Sequence, residues 1–134
     1  MNSEKPFSLK QFIRRMRALP DEIYQADRAV IAEAARLESI RNRVADLKSE
    51  LLTKPDSPID GKNDMLREAQ LHEWTKAWDE PLLLQEEAFQ TARVMANRLR
   101  HEFDSQGLII QFLCSLKGDI ATLIPELLED SDDS

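Results

Sequence analysis

The stretch Asp21–Thr53, DEIYQADRAVIAEAARLESIRNRVADLKSELLT, decides the fold of this chain. An apolar side chain stands at every seventh position of it, and neither Gly nor Pro interrupts it. A seven-residue apolar repeat keeps one face of a helix against a partner, because slight supercoiling absorbs the mismatch with about 3.6 residues per turn. A second row, three residues after members of the first, contains Ala26, Ile40 and Leu47 and is interrupted by Glu33. The first row consists of Ile23, Val30, Leu37, Val44 and Leu51.

This helix needs a partner, because a rod of about 50 Å with so narrow an apolar face is not stable alone. Residues 55–62 contain two prolines and a glycine, which predicts a loop. Over residues 64–105 apolar side chains recur every three or four positions, which predicts a return helix. The sequence therefore predicts an all-α fold, a long antiparallel helical hairpin over residues 20–105 that resembles a coiled coil. The predicted stripe of the return helix consists of Leu71, Trp74, Trp78, Pro81, Leu84, Ala88, Ala92, Met95 and Leu99.

Prolines and a capping serine predict where the helices begin. Ser8 is a suitable N-cap for a short N-terminal helix, Leu9–Leu19. Pro20 then predicts the start of the long helix, because a proline at the first helical position loses no hydrogen bond. In the return helix Pro81 leaves two alternatives open, a bend or a break at Asp79.

The end of the chain is predicted to form a separate apolar helix. Gly107 suits the position just after a helix end, so the return helix is expected to stop there. Residues 108–128 are apolar on nearly all sides, and such a helix must be buried on more than one side. We expect one helical domain over residues 1–128, followed by an acidic and disordered tail over residues 129–134. The predicted dimer interface consists of Leu108, Ile109, Phe112, Leu113 and Leu116.

Composition restricts the class of protein. The 134 residues carry 32% charged and 6% aromatic side chains, a profile typical of long helices. A net charge of −7 argues against general binding to a nucleic-acid backbone, which requires clustered Lys and Arg. Cys114 is the only cysteine, so no intrachain disulfide can form, and its apolar neighbours predict a buried thiol.

Neither end of the chain predicts a membrane or secretory segment. The first ten residues lack the apolar core of a signal peptide. The richest apolar run, residues 108–128, is interrupted by Lys117, Asp119 and Pro125, so we expect no membrane span. The protein is therefore expected to be cytoplasmic.

Two groups of residues are candidates for partner binding. The first is the basic segment Lys10, Arg14, Arg15 and Arg17, which is either a solvated helix face or a contact for an acidic partner or nucleic acid. If the protein binds nucleic acid, this basic segment is the expected site of contact. The second is Trp74 with Trp78, four residues apart on one predicted helix face, which is either core or a partner surface.

The sequence holds no complete catalytic or metal-binding motif. Glu68 and His72 could share a helix face, but a surface hydrogen bond explains the pair equally well. Glu126 and Glu129 alone have the spacing of a magnesium-dependent helical nucleotide hydrolase, and a charged solvent face is the better account. We therefore expect no enzymatic activity and no cofactor.

One motif carries a resemblance to a known group of proteins. Residues 59–71 spell IDGKN-x3-R-x-AQL, and the preceding helix carries Tyr24-x-Ala26 and residues 34–37, AARL. Over roughly residues 20–100 the chain resembles a loose group of small helical-hairpin proteins encoded by bacteriophages and prophages, many of them among replication and recombination genes. The resemblance implies a bacterial or phage protein and no active site to carry over. For the turn itself, Gly61 is expected to supply a positive φ, and Asn63 or Asp60 to cap the next helix.

These observations together predict a non-enzymatic interaction protein of phage type. The expected partners are a second copy of the chain and a protein of the phage or its host. The expected role of the protein is accessory to phage DNA replication or recombination. The alternative is a phage inhibitor or sponge that acts on a host defence system. A helical nucleotide hydrolase is the third class.

Overall fold

The computed structural model describes residues 8–116, and within this range every regular element is a helix. Helix α1 spans Leu9–Thr53, α2 spans Asp64–Thr75, and α3 spans Asp79–Ser115, with a 3-10 turn at Lys76–Trp78 between the last two. The predicted all-α class is confirmed. The acidic tail at 129–134 and the predicted helix beyond residue 116 lie outside the described residues.

Helix α1 continues through Pro20, so the prediction of a separate short helix before this residue is wrong. Pro20 lies inside a 45-residue helix, and its ring is exposed. The reason is the phase of the apolar repeat: Leu9 and Met16 precede Ile23 by fourteen and seven residues, and both are half-buried. Leu19, seven residues before Ala26 of the second row, is fully buried, and Ile13 is 9% exposed. Full burial of one such side chain is worth roughly 1.5–3 kcal/mol, so this pair offsets the roughly 3 kcal/mol cost of an interior proline. Ser8 caps this helix as predicted, and its Oγ accepts from the Gln11 N–H at 3.3 Å.

The two apolar rows of α1 are its least exposed face, which we call the α1 seam. Leu37 is 4% exposed, whereas Ile31, on the outer side of the same helix, is 69% exposed. Every member of both rows, Glu33 included, is buried or half-buried. The seam predicted from the seven-residue repeat is therefore confirmed.

Of the two alternatives for Pro81, a bend or a break at Asp79, the structure shows the break. Helix α2 ends at Thr75, whose Oγ1 donates to the Leu71 carbonyl at 3.0 Å. A single 3-10 turn follows, and α3 begins at Asp79. Pro81 is then the third residue of α3, in the first turn, where a missing N–H has no carbonyl to lose.

The α3 seam differs from the predicted stripe. Leu84 and Met95, both in that stripe, are exposed, and the next residues, Gln85 and Ala96, are half-buried and buried in their place. The other predicted members of α3 that are apolar and not proline, Ala88, Ala92 and Leu99, are half-buried or buried as predicted. Gln85 is a polar residue within the apolar repeat of α3, so the sequence pattern did not reveal this repeat. The α3 seam consists of Leu82, Gln85, Phe89, Ala92, Ala96 and Leu99.

Helix α3 also extends further than predicted. Gly107 lies inside it and not after its end, and the residues up to Ser115 continue the same helix. The predicted separate helix from residue 108 is therefore wrong within the described range. Without a turn to end the helix, glycine only lowers local helix stability, by roughly 1 kcal/mol relative to Ala.

The chain divides into two compact units, to which α1 and α3 both contribute. Unit 1 comprises Met1–Asp27 with Met95–Ser134, and unit 2 comprises Arg28–Val94. In unit 1, Arg100 on α3 pairs with Asp27 on α1 at 2.5 Å.

In unit 2, two polar contacts join α1 to α3. The Arg41 guanidinium lies 3.4 Å from the Glu86 carboxylate, and the Gln85 side chain donates to Glu33. Polar contacts thus border or interrupt the apolar seam in each unit.

Candidate protein-interaction surface

The C-terminal part of α3 presents large apolar side chains to solvent. Leu108 is 65% exposed and Phe112 is 63% exposed, and Ile109 and Leu116 are exposed as well. Because these residues recur every three or four positions, they form one stripe along the helix. We call Leu108, Ile109, Phe112 and Leu116 the C-terminal stripe.

Four of the five predicted interface residues therefore lie in this stripe. The fifth, Leu113, is half-buried and stands four residues after Ile109, so it borders the stripe on the side where the half-buried Gln106 also lies. Exposed apolar stripes of this kind mark sites of protein association, since water is expelled from them on contact. The stripe is the strongest candidate for a functional surface among the described residues.

Cys114 is exposed, so the prediction of a buried thiol is wrong. Its apolar neighbours suggested a buried environment. Because α3 continues through Gly107 as one helix, however, this position turns away from the half-buried Leu113.

Arg15, one of the four predicted basic contacts, is held inside unit 1. Its Nε and Nη2 donate to the two carboxylate oxygens of Glu102, the latter at 3.1 Å, and its Nη1 donates to Glu22. The hydrogen bonds that Arg15 donates to Glu102, together with the charges of Glu102 and Glu22, raise the pKa of Arg15 above its ordinary value. A bidentate pair of this kind fixes orientation, so Arg15 serves to join α1 and α3 within the unit.

The other three basic residues lie along one face of α1. Lys10, Arg14 and Arg17 are spaced by four and three residues, Arg14 and Arg17 are exposed, and Lys10 is half-buried. Each already takes part in an interaction, so none is an unpaired charge. We call these three residues the basic face.

The two tryptophans do not share one helix face, because the helix is interrupted between them. Trp74 lies in α2 and is 56% exposed, whereas Trp78 lies in the 3-10 turn and is half-buried. The core interpretation is therefore wrong for Trp74. A partner surface at Trp74 stays a prediction.

The IDGKN turn is held together by its own motif residues. The Gly61 N–H donates to Gln70 Oε1 at 2.9 Å, and Gln70 Nε2 donates to Asp60 Oδ1 at 2.7 Å. Arg67 Nε donates to the Gly61 carbonyl at 3.0 Å. Of the two predicted caps, Asn63 is the one used, and its Oδ1 accepts from the Leu66 N–H at 2.9 Å. Structure alone therefore explains most of the motif.

Gly61 is required for close approach, and the predicted positive φ is wrong. Its backbone does not lie in the left-handed region, but a Cβ at this position would stand 2.8 Å from Leu66 Cβ and 2.9 Å from Arg67 N. Both contacts are too short for carbon, so only glycine lets the turn close onto the first turn of α2.

The structure brings together no set of metal ligands in the part of the chain it describes. Between residues 8 and 116, no three His, Cys, Asp or Glu side chains form a group that could hold a metal ion. His72 lies 3.4 Å from Asp79. The Glu126 and Glu129 pair lies outside the described residues. Over the same range no helix has the length and apolarity needed to cross a membrane.

No protein-family model, curated protein or solved structure matches this chain.

Proposed function

We propose that this protein is a non-enzymatic interaction and assembly protein, an antiparallel helical hairpin that forms a dimer through the C-terminal stripe. The exposure of Leu108, Ile109, Phe112 and Leu116 is the observation that carries this proposal. In the dimer, a second copy of the chain covers the stripe, and the remaining surface is available for a protein of the phage or its host.

The positions of the ion pairs in unit 1 support the antiparallel hairpin. Asp27 and Arg100 each directly follow a seam residue, Ala26 and Leu99, so they occupy the same flank of their repeats. Like flanks face each other only when two helices run in opposite directions, and flanking charges of this kind set helix orientation in coiled coils. The Arg15–Glu102 pair repeats the arrangement on the other flank.

The contacts of unit 2 follow the same rule. Arg41 directly follows Ile40, and Glu86 directly follows Gln85, so both belong to the flank that comes after the second row. The loop between α1 and α2 is long enough to reverse the chain. A coiled-coil-like pairing of α1 with α3 therefore accounts for the polar contacts of each unit taken separately.

The energetics of the stripe favour self-association. Burying one large apolar side chain is worth roughly 1.5–3 kcal/mol, and four such side chains lie on one helix face. Closed two-fold pairing is the commonest way for a soluble chain to bury a surface of this kind, because the same stripe then serves both subunits. A second copy of the same chain is therefore sufficient to cover the stripe.

Sedimentation of a charged variant tests the dimer. In the double variant Ile109→Asp, Phe112→Asp the stripe loses its apolar character, and the protein should become monomeric at micromolar concentration. The matched control Ile31→Asp places a charge at an exposed apolar position outside the stripe and should leave the dimer intact. The proposal fails if the unaltered protein is already monomeric, or if the double variant still forms dimers.

The role in phage DNA replication or recombination rests on the resemblance of the IDGKN motif alone. Affinity capture with Trp74→Ala as the comparison tests whether a phage or host protein binds at this exposed side chain. Recovery of the same partners by both forms would exclude Trp74 from the contact.

The alternative is an inhibitor or sponge that acts on a host defence system. The net charge of −7 favours it, because an acidic surface can compete with nucleic acid for a basic site. Mass spectrometry of the protein purified from its host tests this alternative, since a sponge would carry a bound small molecule and an inhibitor would carry the host protein whose basic site it fills.

A further inference from the structure

The apolar core of unit 2 is small for the length of chain that it contains. Among residues 28–94, all of which the structure describes, Leu37 and Leu51 are the only buried apolar side chains. A helix needs another element to cover its apolar side, and a small unit buries too little surface by itself. Unit 2 can therefore gain buried surface from a further helix.

A groove beside this core provides a place for such a helix. It has a volume of about 620 Å³ and is lined by Leu37 of α1 and by Leu83 and Phe89 of α3. Leu37 is buried and Phe89 is half-buried, whereas Leu83 is 55% exposed. Leu84, the next residue of α3, is 57% exposed. Amphipathic helices bind proteins by inserting their apolar side chains into grooves of this kind.

Two carboxylates stand beside both exposed leucines. Glu80 precedes Leu83 and Leu84 by three and four residues, and Glu87 follows them by four and three. Residues at these spacings are neighbours on a helix surface. Both glutamates are exposed. Glu80 lies in the first turn of α3, where the helix dipole favours a negative charge, but Glu87 lies beyond the reach of this effect.

The charge at the edge of the groove is therefore negative. Residues 79–90 contain no lysine or arginine. Arg41 also lines the groove, but its guanidinium lies 3.4 Å from the carboxylate of Glu86, so these two residues add no net charge. Charges that flank an apolar contact select the partner by complementarity. The groove accordingly fits a helix that carries lysine or arginine beside its apolar side chains.

We propose that this groove binds a basic amphipathic helix of a partner protein. The apolar side chains of that helix contact Leu83, Leu84 and Phe89, and its basic side chains pair with Glu80 and Glu87. Val94, eleven residues after Leu83 and 57% exposed, extends the surface to about 17 Å, the length of roughly three helical turns. Every residue of this surface belongs to unit 2, so the proposal does not depend on the dimer formed through the C-terminal stripe.

A synthetic helical peptide tests the proposal on the full-length protein. The probe is a fluorescent peptide of about fourteen residues, with leucine at helical spacing on one face and lysine elsewhere. Its fluorescence anisotropy should rise on titration with the protein. A peptide with glutamate in place of each lysine keeps the apolar face and should bind several-fold more weakly. Salt at about 1 M should weaken binding of the lysine peptide, because it screens the charge pairs.

Variants of the leucines locate the contact. Leu83→Ser with Leu84→Ser should lower the affinity for the lysine peptide about tenfold, as expected for apolar anchors at the centre of an interface. Circular dichroism should show unchanged helix content, because both side chains are exposed. Leu108→Ser with Phe112→Ser, in the C-terminal stripe, should leave peptide binding unchanged even where it removes the dimer.

A charge-matched pair of variants separates specific binding from the general attraction between an acidic protein and a basic peptide. Glu80→Gln with Glu87→Gln should lower the affinity several-fold. Glu38→Gln with Glu50→Gln changes the net charge equally at exposed positions of α1 in unit 2, and should have no effect.

Four results would overturn the proposal. They are equal binding of the lysine and glutamate peptides, unchanged binding by the leucine variant, equal effects of the two glutamine variants, and a change in the sedimentation of the protein alone on Leu83→Ser with Leu84→Ser. The last result would identify a second copy of the chain as the occupant of the groove.

Discussion

Gln85 on α3 makes two hydrogen bonds to a single residue of α1, Glu33. Its Nε2 donates to the Glu33 backbone carbonyl at 3.0 Å and to Glu33 Oε2 at 2.5 Å. Both residues occupy positions that are otherwise apolar in their repeats. The other carboxylate oxygen, Oε1, accepts from Arg36 at 2.5 Å. Two polar residues that would each disrupt a seam are therefore satisfied by contact with each other.

We expect the two residues to depend on each other for stability. Glu33→Leu removes an acceptor from the half-buried Gln85 amide and should lower the free energy of unfolding by roughly 1–3 kcal/mol. Gln85→Leu should cost about 1 kcal/mol, because Arg36 still pairs with the carboxylate. The double leucine variant should be at least as stable as the unaltered protein, since both polar groups leave the seam. Urea unfolding measures the four stabilities, and simple additivity of the single losses would contradict the coupling.

A charge in the α1 seam should be far more costly than the same charge on the outer face. Leu37 is buried in unit 2, so Leu37→Asp should lower the free energy of unfolding by roughly 3–5 kcal/mol. The exposed Ile31 on the same helix provides the matched control, and Ile31→Asp should change stability by less than about 0.5 kcal/mol. Thermal melting with circular dichroism compares the two. Equal effects would show that the repeat does not define a buried seam.

Alanine should have opposite effects at two of the glycines. At Gly61 a methyl group would collide with Leu66 and Arg67, so Gly61→Ala should destabilise by roughly 1–3 kcal/mol. At Gly107 nothing lies within 4 Å of the added carbon, and the residue is inside α3. Gly107→Ala should therefore stabilise the protein by roughly 0.5–1 kcal/mol. Denaturant midpoints report both changes, and destabilisation by Gly107→Ala would mean that α3 is not continuous there.

A disulfide should form between α1 and α3 within unit 1 if the two helices are antiparallel. A register midway between the Arg15–Glu102 and Asp27–Arg100 pairs places Ala26 opposite Ala96. In a Cys114→Ser background, Ala26→Cys with Ala96→Cys should therefore oxidise readily within one chain. The measurement is the mobility of the oxidised chain in non-reducing electrophoresis.

The control for this disulfide moves one cysteine away from the seam. Gln25 is exposed on α1 within unit 1, so Gln25→Cys with Ala96→Cys should remain largely reduced under the same oxidation. Similar oxidation of both pairs would argue against the proposed register, since Cα atoms must approach within about 7 Å for a disulfide to form.

The sequence by itself determined the helical class and the α1 seam. Leu37 and Leu51 are buried where the seven-residue repeat places them, and Ser8 and Asn63 cap the helices that follow them. These features depend on neighbours within a few residues along the chain, and local sequence therefore specifies them. The sequence also encodes the continuation of α1 through Pro20, because Leu9 stands fourteen residues before Ile23 and so belongs to the same seven-residue repeat.

Only the tertiary structure decided which face of α3 is buried and which charges are engaged. Gln85 interrupts the apolar pattern of α3, and its partner Glu33 lies 52 residues away in the sequence. The sequence places Arg15 in a basic segment, but its guanidinium pairs with Glu102, 87 residues further along the chain. A polar side chain such as Gln85 is stable in a seam only when a distant residue supplies its hydrogen-bond partner. In the same way, a charged side chain such as Arg15 is not available to a binding partner when a distant residue pairs with it. Local periodicity contains no information about that partner, because the pairing follows from the register of the two helices.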